Sequence, residues 1–196
     1  MQAVLTRALT RGAIAGADDV LRDIPRRRVE SKARQQTGNA SAFVLSWVRR
    51  HSVKRVQQIT KTTARAVRRQ IITGTRLGWS QSKIADAIRK ATAGEIGRKR
   101  AERIARTETH TAFERGSYEQ AKELRTLGLD IVSEWAAVED KRTRPDHAEA
   151  DGQTVDIGKP FTVGNEAMRF PGDPRASARQ VINCRCTALY YVRGTR

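Results

Sequence analysis

The chain has 196 residues, a net charge of +17, and hydrophobic and aromatic contents of 38% and 5%. This length is enough for one domain, or for a helical arm with a small domain, and the low aromatic content predicts a modest core. No apolar run approaches the roughly 20 residues needed to cross a membrane, and we expect no secretory signal. Two cysteines are too few for a disulfide framework. Because a bridge across one intervening residue would be strained, we expect a reducing compartment.

The net positive charge lies entirely in the first part of the chain. Residues 1–110 hold 25 Lys and Arg against 8 Asp and Glu, whereas residues 111–196 hold 13 of each kind. Such asymmetry bears on partners rather than on fold. It favours nucleic acid bound through its phosphates. A solvated basic helix, or a helix that docks on an acidic protein, is the alternative.

Residues 1–40 are weakly patterned, and we expect a weakly structured or broken-helix arm there. A helix is predicted from about Ser41 to Thr73, because apolar residues recur at three- and four-residue steps. Gly74 fits as its C-terminal stop. The opposite face of this helix and a short run near residue 100 are basic. The predicted phosphate contacts, which would not read sequence, are Arg49, Arg50, Lys54, Arg55, Lys61, Arg65, Arg68, Arg69, Arg98, Lys99 and Arg100.

Two further helices are predicted before residue 128. Ser80 is the predicted N-cap of the first, and Gly94 and Gly97 mark its end. The second begins near Arg98 and reaches about Leu127. Its cationic start opposes the positive end of the helix dipole, which indicates either an anionic partner or screening by solvent.

After residue 128 the pattern changes to short strands bounded by turn residues. Strands are predicted at residues 131–138, 153–157, 161–163 and 185–192. Pro145 is placed to start a short helical turn, with Thr143 as a possible cap.

The sequence therefore predicts an α+β protein. A helical basic region at 41–128 follows the arm of residues 1–40. A small, mostly antiparallel β-rich module at 129–196 completes the chain and is expected to pack on the end of the last long helix.

The module contains a candidate metal site. His147, Cys184 and Cys186 offer one nitrogen and two sulfurs, and zinc prefers four ligands of this type. The fourth ligand would be a water or a nearby carboxylate, for which the candidates are Asp140, our choice of ligand, Asp146 and Asp151. A Cys-x-Cys pair aims both sulfurs at one point only in a special turn. The alternative is that the three residues only pack and form hydrogen bonds.

Asp140, Arg144 and His147, with Asp146, could also form the acid/base cluster of a metal-dependent nuclease or another hydrolase. The sequence has no Gly-rich phosphate loop, nucleophile elbow or paired-histidine metalloprotease motif. We therefore predict no catalytic residue, no small-molecule substrate and no enzymatic role.

The order of the motifs resembles the phage Mu F-like minor head proteins, the head morphogenesis family, over roughly residues 50–192. The motifs are Gly78-Trp79-Ser80, Ile104-Ala-Arg-Thr-Glu-Thr109, Trp135, the segment from Asp140 to His147, Gly152 and Asn183-Cys-Arg-Cys186. The positions that match the family pattern are Arg106, Thr107, Glu108, Trp135, Asp140, Arg144, His147, Gly152, Cys184, Arg185 and Cys186. Many members are longer. Many have a cysteine where this chain has His147, which fits a ligand role.

This resemblance implies a low-copy structural protein of the virion, located inside the head at the portal vertex. Such a protein would help procapsid assembly and DNA packaging or delivery, and would be in the host cytoplasm during assembly. Its partners would be the portal protein, other head proteins and DNA, with one zinc ion as a possible cofactor. With the resemblance in view, Arg106 or Glu108 is expected to tie the long helix to the β-rich module. The alternatives are a non-specific DNA-binding protein of the host or prophage, although no helix-turn-helix stands out, and the metal-dependent nuclease.

Overall fold

The computed structural model describes residues 42–54 and 56–194. The predicted arm of residues 1–40 and Arg55 lie outside these residues. Within them, the N-terminal part is helical and the C-terminal part holds two small antiparallel sheets. The predicted α+β class is therefore confirmed. No helix in the described ranges is long and apolar enough to cross a membrane.

The helix predicted at residues 41–73 is in fact two helices. Residues 42–51 are helical and are named α1, and α2 covers Lys61–Leu77. Between them the backbone turns at Val53, whose φ is 65°. Thr60 then caps α2, because its hydroxyl oxygen accepts the backbone N–H of Thr63 at 3.1 Å. The single-helix prediction was wrong because apolar periodicity does not reveal an internal N-cap.

Gly74 lies inside α2 rather than at its end, which corrects the predicted stop. A Cβ at Gly74 would come 2.4 Å from Cγ1 of Ile84, so the missing side chain lets the next helix, α3 (Gln81–Ala91), approach closely. α2 ends at Gly78, whose φ of 64° forms a left-handed cap.

α3 and the long helix α4 (Arg98–Thr126) begin where they were predicted to begin. Ser80 caps α3, because its Oγ accepts the backbone N–H of Lys83 at 3.2 Å. α1 to α4 share an apolar core. Its buried members include Trp47, Val48, Val67, Ile71, Ile84, Ile88, Ile96 and Ile104.

The β-rich part contains a three-stranded sheet and a hairpin. β1 (Ile131–Ala136) lies between β2 (Thr154–Asp156) and β5 (Thr187–Val192), and both pairings are antiparallel. β3 (Phe161–Val163) pairs with β4 (Glu166–Met168), also antiparallel. β4 was not predicted, because three residues with one large apolar side chain give no readable alternation.

Two short helices carry loops of this module, α5 (Pro145–Glu149) and α6 (Ala178–Val181). Proline stands at the start of α5, as predicted. The predicted cap is wrong, because the N-cap is Arg144 and no side chain caps the helix. The hydroxyl of Thr143 donates instead to the backbone carbonyl of Val138.

α4 contacts the N-terminal helices through Glu108. Its carboxylate accepts the backbone N–H of Val53 at 3.2 Å, at the turn that follows α1. Arg106 is exposed. The expectation that Arg106 or Glu108 ties α4 to the β-rich module therefore stays a prediction. For Glu108, the bond found here fixes an unusual turn in the helical layer.

Thr107 and Glu114 make hydrogen bonds from α4 to the segment of the β-rich module that holds both cysteines. Thr107 Oγ1 accepts the backbone N–H of Asn183 at 3.1 Å. Glu114 accepts the hydroxyl of Thr187 at 2.9 Å and the backbone N–H of Ala188 at 3.1 Å. These bonds fasten both ends of the Cys-x-Cys segment to one helix, at positions about two turns apart.

Candidate metal centre

His147, Cys184 and Cys186 converge inside the β-rich module. Their exposed fractions are only 1%, 2% and 3%, and both thiols are free. Nδ1 of His147 lies 3.3 Å from Sγ of Cys186 and 3.7 Å from Sγ of Cys184. The three donor atoms all lie within 4.8 Å of one another. The fold thus brings together two sulfurs and one imidazole nitrogen, the donor types that soft divalent metals prefer.

The turn that brings both sulfurs to one point begins at Asn183. Its φ of 57° is in the left-handed region, which asparagine tolerates better than most residues. Backbone N–H groups of Cys186 and Val138 face the sulfurs of Cys184 and Cys186, respectively. The segment therefore has the special turn that Cys-x-Cys spacing requires.

The two thiols differ in acidity. The hydrogen bond from Cys184 lowers the pKa of Cys186, burial opposes this effect, and the His147 ring adds to the lowering. The same hydrogen bond, together with burial, raises the pKa of Cys184. Cys186 is therefore the sulfur more ready to be a thiolate, the form that binds metals.

A hydrogen-bonded chain leads away from the other side of the His147 ring. Nε2 lies 3.0 Å from Oε1 of Gln180, and Nε2 of Gln180 donates to Oδ2 of Asp146 at 2.6 Å. Arg179 lies 3.2 Å from the same carboxylate oxygen. The hydrogen bond from Gln180 lowers the pKa of Asp146, burial opposes the shift, and Arg179 adds to it. Asp146 also faces the turn at Gly164, where a Cβ would come 2.8 Å from Oδ2.

The structure places Asp140 in an ion pair rather than in this cluster. Its two carboxylate oxygens accept hydrogen bonds from Arg185 at 2.5 and 2.6 Å. These bonds hold the pKa of Asp140 well below its usual range, although desolvation opposes the shift. Asp151, another candidate, accepts the backbone N–H of Ala137 at 2.6 Å.

The other motif residues of the module hold its loops around the cluster. Arg144 donates to the backbone carbonyl of Ile182, just before the Cys-x-Cys turn. Gly152 has a φ of 71°, and its N–H donates to the carbonyl of Trp135 at 2.8 Å. The ring of Trp135 meets the edge of His147 with the ring centres 5.5 Å apart. These residues hold the loops and the ring that surround the three donors.

Most of the predicted phosphate contacts are exposed. The exposed members are Arg49, Arg50, Lys54, Lys61, Arg65, Arg69, Arg98 and Lys99. Arg68 and Arg100 are half-buried and donate to backbone carbonyls of the turn at 52–57. Arg98 also pairs with Glu102 at 2.9 Å. Two of the predicted contacts therefore hold the turn before α2.

Sequence reasoning missed Gln180 and Glu114. Gln180 has no motif of its own, because its role depends on two partners more than 30 residues away. Glu114 did carry a signal. It follows Thr107 by seven residues, which places both side chains on one face of the helix.

The fold and the cluster define an α+β protein in which one long helix connects a basic helical layer to a β-rich module with soft metal-type donors. This chain belongs to the phage Mu protein F like family, whose model matches residues 65–189, well over half of its length. The resemblance noted from the motifs is thereby confirmed.

Two curated relatives match. Minor head protein GP7 of Bacillus phage SPP1 is 26% identical over 125 residues, which are 63% of this chain and 39% of that protein. NAD(+)--arginine ADP-ribosyltransferase EFV of Enterococcus faecalis (strain ATCC 700802 / V583) is 38% identical over 144 residues, which are 72% of this chain and 28% of that protein. The chain thus spans less than two fifths of either relative's length. No solved structure matches the chain.

Proposed function

We propose that this chain is a structural minor head protein of a tailed phage or prophage, which acts in head morphogenesis. Membership of the phage Mu protein F like family carries this proposal, and the name of the SPP1 relative supports it. Its place would be inside the head at the portal vertex. There the portal protein and other head proteins would be its partners during procapsid assembly and DNA packaging or delivery.

We propose no enzymatic role. The ADP-ribosyltransferase activity in the name of the Enterococcus relative belongs to a protein of which this chain matches 28%. The matched segment necessarily overlaps the region that the family model covers. The simpler interpretation is that the two proteins share the family module and that the activity has another source.

The test of the head role is incorporation into particles. The phage head genes, including the portal gene, would be expressed with and without this chain, and procapsids would be purified and analysed by mass spectrometry. We expect a few copies per procapsid, and loss of the chain when the portal protein is omitted. Absence from procapsids, with binding to free DNA only, would favour the host or prophage DNA-binding alternative. Plasmid cleavage that requires a divalent metal and is lost in His147→Ala would favour the nuclease.

The same proposal includes DNA contact through α2. Lys61, Arg65 and Arg69 are exposed and follow one another at four-residue steps, whereas the buried Thr63 and Val67 lie on the opposite face. Residues four apart are neighbours on a helix surface, so these cations form a stripe. Such a stripe would bind phosphates without reading bases, and its affinity would fall with salt.

A pair of double variants with equal charge change tests the stripe. Arg65→Glu/Arg69→Glu alters it, whereas Lys141→Glu/Lys159→Glu alters two exposed lysines of the β-rich module. Binding to a 30-base-pair duplex would be measured by fluorescence anisotropy over a range of salt concentrations. In a plot of log affinity against log salt, the stripe variant should lose about 2 units of slope and the control should keep its slope. An equal loss of slope in both variants would mean that binding depends on net charge and not on the stripe.

We further propose that His147, Cys184 and Cys186 bind one Zn²⁺ that helps to hold the β-rich module. In a tetrahedral zinc site the distances between nitrogen and sulfur ligands are about 3.5 Å, and those found here are 3.3 and 3.7 Å. Two thiols and an imidazole favour zinc over magnesium or calcium. Since Asp140 is held by Arg185, a water or another external ligand is the better candidate for the fourth position.

Elemental analysis of the purified protein tests this site. We expect about one zinc per chain in the wild type and in the control His51→Gln, a histidine of α1. The Cys184→Ser variant should lose both the zinc and part of its resistance to urea. A well-folded wild type without zinc, even after exposure to the metal, would reduce the three residues to packing and hydrogen bonding.

A further inference from the structure

The hydrogen-bonded chain behind His147 has a direction, and Asp146 sets it. A carboxylate can only accept hydrogen bonds, so the amide that faces Asp146 across 2.6 Å must present its NH₂ group. This fixes the orientation of the Gln180 side chain and turns its carbonyl oxygen toward His147. The ring nitrogen that faces this oxygen at 3.0 Å must therefore carry a proton.

We propose that Asp146 and Gln180 are positioning residues that keep a proton on Nε2 of His147 and thereby reserve Nδ1 for the metal. This inference rests on the proposed zinc site and goes beyond it, because it states which nitrogen binds and what selects it. A histidine ligand offers one nitrogen to the metal, and a hydrogen bond to the other nitrogen sets which one it is.

The positions of the two ring nitrogens support this assignment. Nδ1 is the nitrogen that faces both sulfurs, at 3.3 Å from Cys186 and 3.7 Å from Cys184. Nε2 faces Gln180, which is 2% exposed, so water does not compete readily for this hydrogen bond. Trp135 packs edge-on against the ring, which restricts its rotation.

Asp146 is itself held in place. Arg179 lies 3.2 Å from its Oδ2, and the turn at Gly164 passes so close that a Cβ there would lie 2.8 Å from the same oxygen. The chain of hydrogen bonds therefore starts from a fixed acceptor. Replacing Asp146 by asparagine keeps the shape but adds a donor, so the Gln180 amide could reverse and the proton could move to Nδ1.

The first test is the protonation pattern of the ring. Full-length protein labelled with ¹⁵N-histidine would be studied by long-range ¹H–¹⁵N correlation spectra, first without metal and then loaded with ¹¹³Cd²⁺. We expect Nε2 to carry a proton in both states and the ¹¹³Cd coupling to appear on Nδ1. A neutral ring with its proton on Nδ1, or coupling to Nε2, would overturn the assignment.

The second test compares variants of the hydrogen-bonded chain with matched controls. Asp146→Asn and Gln180→Met alter it, whereas Asp151→Asn and Gln153→Met change side chains that bond to backbone groups elsewhere in the module. Zinc affinity would be measured by competition with a chelator. We expect a loss of about 10- to 100-fold in the first pair and less than threefold in the controls.

The outcomes separate this inference from the zinc proposal. Equal zinc affinity in all four variants would leave the site standing and remove the positioning role. A wild type that binds neither zinc nor cadmium would overturn both. If Gln180→Met fails to fold, Asp146→Asn decides alone, because it changes one atom and shifts the proton rather than the packing. A proton found on Nδ1 in this variant would support the inference directly.

Discussion

Replacing Glu114 by glutamine should change how the stability of this protein depends on pH. Glu114 is fully enclosed between α4 and β5, and burial raises its pKa to about 8, although the hydrogen bonds from Thr187 and Ala188 oppose the shift. In the unfolded chain the pKa returns to its ordinary value near 4.5. Folding must therefore take up a proton at neutral pH.

The sign and size of the effect follow from these two pKa values. A raised pKa in the folded state contributes stability that is fully present below about pH 4.5 and is lost as the pH rises through about 8. At about 1.4 kcal/mol per unit of pKa difference, the loss is about 3 kcal/mol by pH 7 and about 5 kcal/mol by pH 9. Glutamine is neutral at every pH and can keep both hydrogen bonds, so Glu114→Gln should not show this loss.

Urea denaturation followed by circular dichroism at pH 5, 7 and 9 would measure the effect, with the metal content held equal. At pH 5 the free energies of unfolding of the two proteins should differ only slightly. At pH 9 the variant should be the more stable by several kcal/mol. Comparing the two proteins cancels the titration of groups that they share. If their free energies of unfolding run parallel from pH 5 to pH 9, Glu114 is ionised in the folded protein and the reasoning fails.

Two packing and hydrogen-bond predictions follow from the helical layer and its link to the module. Gly74→Ala should lower the free energy of unfolding by about 1–3 kcal/mol despite the better helix propensity of alanine, since its Cβ would meet Ile84. The control is Gly97→Ala, where a Cβ meets nothing within 4 Å. Thr107→Val should cost about 1–3 kcal/mol, because the backbone N–H that precedes the first cysteine loses its acceptor. Thr109→Val, which removes only a bond to a carbonyl of its own helix, should cost less, and thermal melts of the four variants would measure both differences.

The sequence was sufficient where local chemistry decides the structure. Ser80 was predicted to cap α3 and does so, because the capping bond involves residues three apart. Local rules failed at Gly74. There a glycine that permits close helix packing looks the same in sequence as one that ends a helix, and only the position of Ile84 distinguishes them.

The candidate site was predictable in its donors but not in their surroundings. Cysteine and histidine are rare enough in this chain to be noticed, so His147 could be selected from the sequence. The pairing of Asp140 with Arg185 and the hydrogen bonds of Gln180 join residues 33 to 45 positions apart. Such pairings depend on how loops meet in space, which neither apolar periodicity nor the rules for helix caps can predict.

Thr107 and Glu108 are adjacent on α4, yet they hold opposite parts of the molecule. One accepts the N–H before the first cysteine, and the other accepts the N–H of Val53 in the helical layer. Successive residues of a helix point about 100° apart, so adjacent residues can form hydrogen bonds to structure on different sides of the helix. Glu114 also holds the module, about two turns further along the same helix. Tension between the helical layer and the β-rich module would therefore pass through α4, and a pulling force would load the bond of Glu108 on one side and those of Thr107 and Glu114 on the other.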